Sequence, residues 1–192
     1  MLRKLYDWTM RLGASKGAQP TLFGISFVES SVFPIPPDVL LIPMVLANRR
    51  RWIWYATLCT VASVLGGIAG YIIGAFLYKE VAEPVLALYG YSEDFDVFIE
   101  WFNAQGAWVV FLAGITPFPY KVTTVASGAA ALSLPVFIVA SLLARGIRFF
   151  LVAGLLYWFG PPIRTFIEKR LALVTTIGGL LAVAGFLVLK VL

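Results

Sequence analysis

Long apolar stretches separated by short charged clusters set the pattern of this 192-residue chain. Residues 52–78 carry no charge and open on Trp52, Trp54 and Tyr55. As a helix rising 1.5 Å per residue they reach about 40 Å, enough to cross a ~30 Å hydrocarbon core with tilt. Residues 134–159 make a second such run, interrupted only by Arg145 and Arg148, and residues 171–190 a third that ends on Lys190. Residues 1–20 differ: Leu5, Trp8 and Leu12 fall at helical spacing among Arg3, Lys4, Asp7, Arg11 and Lys16. That pattern suits a short helix lying in the headgroup region.

Two further apolar stretches are broken. Residues 21–48 contain Glu29, Asp38 and prolines at 34, 36, 37 and 43, and Arg49, Arg50 and Arg51 follow. A single crossing would put the basic residues before and after it on opposite faces, against the positive-inside tendency. It would also lose backbone hydrogen bonds at Pro34, Pro36 and Pro37, where lipid offers no replacement. Both conflicts disappear if the stretch enters, turns near residues 33–38 and leaves by the same face. Residues 107–132, broken by Thr116-Pro117-Phe118-Pro119-Tyr120-Lys121, repeat the design. Between them, residues 79–106 carry six acids against Lys79 and suit an external interfacial segment, with an amphipathic helix near 92–103.

The expected architecture is therefore an all-α integral membrane protein in one domain. It has an interfacial helix (1–20), a re-entrant hairpin (21–48), a crossing (52–78), an acidic external segment (79–106), a second re-entrant hairpin (107–132) and crossings at 134–159 and 171–190. With the N-terminus in the cytoplasm, every basic cluster lands on the cytoplasmic side, including Arg164, Lys169 and Arg170 in the loop 160–170.

Composition agrees and narrows the chemistry. Sixty per cent of residues are hydrophobic, 13% are charged and mean hydropathy is +0.90. A soluble domain carries about a quarter charged residues. With no histidine, a Ser-His-Asp triad and His-ligated metals are excluded. One cysteine, Cys59, has no intramolecular partner and cannot by itself hold zinc or an iron–sulfur cluster. No nucleophile–base arrangement is visible, so no catalytic residue, cofactor or metal is expected. The net charge of +5 reflects basic loops rather than nucleic-acid binding.

Laying Pro34-Ile35-Pro36-Pro37-Asp38 on Pro117-Phe118-Pro119-Tyr120-Lys121 pairs Pro34 with Pro117, Pro36 with Pro119 and Asp38 with Lys121. Each break precedes a long crossing. Entry from opposite faces makes these inverted repeats, which in transporters bring broken helices together near the midplane. Gly66-x3-Gly70-x3-Gly74 supplies a small-residue face for close helix packing.

Five ionisable residues lie away from the ends of the spans: Glu29, Asp38, Lys121, Arg145 and Arg148. A charge in hydrocarbon costs at least about 2.5–3.5 kcal/mol, so such groups face a cavity or one another. Lys121, Arg145 and Arg148 can hold phosphate oxygens, arginine with bidentate geometry. Glu29 and Asp38 would compete for those cations, and protonating one would release its partner. The reading is proton-coupled movement of a lipid headgroup. A coupled small-solute transporter and a non-transporting scaffold held by structural ion pairs remain open on the same residues. Expected partners are membrane lipids, a lipid phosphate among them, and a second copy in a homo-oligomer.

With Glu29-x4-Pro34-x-Pro36-x-Asp38, Gly66 to Gly74, Thr116-Pro117-x-Pro119-x-Lys121, Gly128 and the Arg145/Arg148 span, residues 20–160 resemble the DedA family. These are also called VTT-domain or SNARE-associated membrane proteins, and the nearest branch resembles YqaA-type members. The resemblance implies facing re-entrant hairpins, a bacterial inner-membrane location and flipping of undecaprenyl phosphate or phospholipid. It also implies dependence on proton-motive force. Family members carry an arginine before the second proline motif and another after it. Here Gly114 stands at about the first place, and Lys121 lies one residue beyond the second.

Overall fold

The computed structural model describes residues 17–31, 36–82, 84, 92–116 and 120–169. The described residues form six α-helices: α1 (Ala18–Ser31), α2 (Asp38–Ala47), α3 (Trp52–Leu77), α4 (Ser92–Ile115), α5 (Tyr120–Ala129) and α6 (Leu134–Lys169). A 3₁₀ turn, Arg49–Arg51, links α2 to α3, and α3 continues as a π-helical turn over Tyr78–Ala82. Two helical stretches, Arg49–Glu80 and Leu134–Gly160, are long and apolar enough to cross a membrane. The segment 1–16, the span 171–190 and the breaks at Pro34, Pro117 and Pro119 lie outside the described residues.

The long helices α3 and α6 pack side by side in opposite directions. Trp52 at the start of α3 stacks on Tyr157 near the end of the crossing part of α6, with ring centroids 5.6 Å apart. At the other end Tyr71 meets Phe137, centroids 5.4 Å apart, and its hydroxyl donates to the Leu132 carbonyl at 2.6 Å.

Each long helix carries two shorter ones laid end to end. On α3, α1 runs from Gln19, which accepts a hydrogen bond from Trp54, to Ser30, whose hydroxyl meets that of Ser63. There α5 takes over, with Tyr120 against Gly67 and Val125 against Gly74. Glycines make this possible: a Cβ on Gly66 would overlap the Phe27 carbonyl of α1, and one on Gly74 the Val125 carbonyl of α5. Thr124 Oγ1 of α5 lies 2.8 Å from the Lys121 carbonyl of its own helix and 3.3 Å from the Ser30 carbonyl, which brings the two short helices end to end. Along α6, α4 packs from Gly106, beside Leu132 just before the helix, to Gly114 beside Ala144, and α2 continues from Asp38 at Arg148 to Leu46 at Gly160.

Local sequence sets the ends. Pro37 precedes α2 with φ −64°, already helical, and Asp38 in the first turn complements the positive end of the helix. After α5, Leu132 N–H bonds the Ser127 carbonyl and Ala131 N–H that of Gly128, a Schellman closure with Ala131 left-handed at φ 50°. Two boundaries differ from the sequence reading. α4 runs unbroken from Ser92 through the expected limit at 106/107, because a lone Gly106 is too mild a breaker to stop it. The helical backbone of α6 also continues to Lys169, across the stretch read as a loop at 160–170.

Buried apolar residues gather in two clusters. One includes Leu22, Leu41, Met44, Cys59 and Phe149, and the other Phe102, Val110, Tyr120, Leu132 and Phe137. Outward positions on the long helices, such as Ile72, Phe76, Leu143, Leu151 and Trp158, are apolar and exposed. Such a surface belongs against hydrocarbon rather than water.

Candidate functional site

Between the two apolar clusters lies a charged layer. Arg145, near the middle of the α6 crossing, is fully buried, and its guanidinium sits 4.8 Å from the ring centroids of both Tyr120 and Phe149. These aromatic faces belong to opposite clusters, so the cation is clamped at their junction.

Its polar partners come from α1 and α3. Arg145 Nη2 donates to Glu29 Oε2 at 2.7 Å, and Nε donates to Ser63 Oγ at 2.6 Å. Ser30 Oγ donates to the same carboxylate oxygen at 3.2 Å and lies 2.6 Å from Ser63 Oγ. Either hydroxyl can be the donor between the two serines. The result is a closed ring: Arg145 to Ser63 to Ser30 to Glu29, with Arg145 closing it through its second nitrogen. Through this ring Arg145 is held by Nε and Nη2, and the carboxylate and both hydroxyls each have a partner, which is what lets the charge survive in a low-dielectric interior.

One helical turn away, Arg148 Nη2 donates to Asp38 Oδ2 at 2.8 Å. This pair is less enclosed, with side chains 23% and 22% exposed. Two atoms of the layer, Arg145 Nη1 and Asp38 Oδ1, are buried without a hydrogen-bond partner among the described residues. One is a cationic donor and the other an anionic acceptor.

Four of the five expected residues, Glu29, Asp38, Arg145 and Arg148, thus form two ion pairs linking both halves of the first broken stretch to α6. Lys121 is half-buried at the start of α5, next to Tyr120 in sequence, and no ion pair joins it to Asp38 or Glu29. Asp38 faces Arg148, not the lysine it pairs with in the repeat alignment. Counting the five as ionised, Lys121 carries the uncompensated positive charge. Ser30, Ser63, Tyr120 and Phe149 were not expected at the site. Ser63 was legible as a small polar residue inside an uncharged crossing, whereas nothing in the sequence marks Phe149 among its apolar neighbours.

Two helices long and apolar enough to cross a membrane, with apolar outward faces and a buried charged layer between them, give the chain the character of an integral membrane protein. The VTT domain family matches residues 35–158. A protein of Haemophilus influenzae described as uncharacterized is 36% identical over 186 residues, 97% of this chain and 96% of its own length. A protein of Histophilus somni, described as an uncharacterized HI0703 homolog, is 32% identical over 186 residues, 97% of each chain. The chain belongs to the VTT-domain family, the DedA or SNARE-associated membrane proteins. No solved structure matches it.

Proposed function

We propose that this protein is a proton-coupled translocase of a phosphate-bearing lipid, phospholipid or polyprenyl phosphate, in the bacterial inner membrane. It belongs, in this reading, to the YqaA-type branch, keeps its N-terminus in the cytoplasm and performs no covalent chemistry. The observation that carries the proposal is the fully buried Arg145, which is held by Glu29 and Ser63 yet keeps one guanidinium nitrogen without an acceptor.

A carboxylate in such a layer is a competitor for the substrate. While Glu29 and Asp38 are ionised, they occupy Arg145 and Arg148. Protonation of either removes the charge that holds its arginine, and two phosphate oxygens take the freed position in bidentate geometry. Lys121 adds a point charge at the same level. Proton movement down its gradient then drives the exchange of headgroup for carboxylate.

Two re-entrant hairpins in an inverted repeat provide the frame. In support, Gln19 near the start of α1 and Arg49 just after α2 both sit at the end where α3 begins. Asn103 of α4 donates to the Ala130 carbonyl after α5 at 2.9 Å, at the opposite end. Exchanging α1, α2 and α3 for α4, α5 and α6 maps one packing scheme onto the other: α1 and α5 lie along α3 as α4 and α2 lie along α6.

The test is reconstitution of the full chain into vesicles bearing a labelled lipid phosphate, with and without a pH gradient. The parent should move the lipid faster with the gradient. Lys121→Gln should slow movement in both conditions, and Asp38→Asn should reduce the response to the gradient. Absence of lipid movement by folded parent protein overturns the proposal, and so does an unchanged gradient response in folded Asp38→Asn.

A further inference from the structure

We propose that the corner between α2 and α3 is a separate binding site for the phosphate of an anionic membrane lipid, organised by Arg49 and completed by Arg50 and Arg51. Two candidate crossings define its level. One begins at Arg49 and the other ends at Gly160, and these residues touch: a Cβ on Gly160 would lie 3.1 Å from Arg49 Nε. The corner is therefore at one face of the bilayer, where headgroups lie. Around it stand Trp52, Trp54 and Tyr157, the aromatic residues that favour that zone.

The geometry of Arg49 goes beyond generic surface charge. Its guanidinium lies over the Tyr157 ring, 5.7 Å from the centroid, and Tyr157 is stacked in turn on Trp52. Nε is buried beside Gly160 and has no hydrogen-bond partner among the described residues. The Nη nitrogens make no hydrogen bond among the described residues. A planar fork with its inner edge sealed and its outer pair unclaimed is pre-oriented for two oxygens of one phosphate. Arg50 and Arg51 follow in the same tight turn, both exposed, and no described carboxylate pairs with any of the three. Three adjacent cations that no described carboxylate compensates attract an anionic headgroup, and the lipid tails extend the contact along the exposed apolar faces of Ile53 and Trp158.

The site is independent of the central layer, and the test keeps the two apart. Purified full-length protein in neutral detergent is titrated with phosphatidylglycerol, phosphatidylcholine or inorganic phosphate, and bound lipid is counted by native mass spectrometry. Every measurement is repeated in a Lys121→Gln background, which removes the free central cation. Phosphatidylglycerol should bind in preference to phosphatidylcholine in both backgrounds. Arg49→Gln should weaken it about tenfold. Arg49→Lys keeps the charge but not the fork and should recover only part of this loss. Arg50→Gln and Arg51→Gln should each weaken binding about fivefold. Competition by millimolar inorganic phosphate would identify free phosphate as a second source of the same chemistry, and its absence would assign the site to lipid. Equal binding of the two lipids overturns the proposal. So does unchanged binding in Arg49→Gln or, should that variant fail to fold, in the Arg50→Gln/Arg51→Gln pair.

Discussion

Replacing Glu29 by glutamine removes one charge from the ring and almost no volume. The remaining amide oxygen can still accept from Arg145 Nη2 or from Ser30, so the effect isolates electrostatics. Arg145 is 0% exposed and Glu29 18%, so water can do little to compensate the stranded guanidinium. Breaking a buried pair in this way costs about 3–5 kcal/mol, and retention of the hydrogen-bonding shape places Glu29→Gln near the lower end. The Asp38–Arg148 pair is partly solvated on both sides, and Asp38→Asn should cost only about 1 kcal/mol. Reversible unfolding in mixed detergent micelles, followed by far-ultraviolet circular dichroism, measures both. A second comparison removes the ambiguity of a single variant. Glu29→Gln combined with Arg145→Met leaves no uncompensated charge and should return to within about 1 kcal/mol of the parent. Equal costs for Glu29→Gln and Asp38→Asn would refute the reasoning, as would a double variant as unstable as the sum of its parts.

Other consequences are as direct. Ser63→Ala opens the ring and strands Arg145 Nε, which should lower stability in the same unfolding assay by about 1–3 kcal/mol. Gly66→Val and Gly74→Val force side chains into the carbonyls of Phe27 and Val125; each should cost about 1–3 kcal/mol or more. Crosslinking between cysteines placed on α1 and α3 should fall in the first variant, and between α5 and α3 in the second. Ala131→Gly relieves a left-handed alanine in the α5 closure and should raise the unfolding free energy by about 1 kcal/mol; a loss of stability there would argue against the Schellman geometry.

Much of the frame was legible because membrane burial leaves a coarse signature. The uncharged run at 52–78 became α3 (Trp52–Leu77), and Asp38 after the proline pair began α2 as a helix-opening acid should. The five ionisable residues were visible for the same reason: few others lie within apolar sequence. Which acid meets which base was not legible. Asp38 and Arg148 are far apart in sequence, and their pairing depends on α2 lying parallel to α6, a packing result that no spacing encodes. The serine bridge through Ser30 and Ser63 was hidden likewise, since serine is common in packed helices and becomes a relay only when two helices align. The unbroken α4 shows the reverse case, in which a change of composition at 106/107 does not coincide with a change of backbone.

Setting two half-length helices in line along a single glycine rail has a mechanical corollary. The two rods meet at a seam where Thr124 approaches the Ser30 carbonyl and where Arg145, bound to Glu29 of one rod, lies on the Tyr120 ring of the other. Axial displacement of either rod would therefore disturb the Arg145 clamp itself, with no need for the long pair to part.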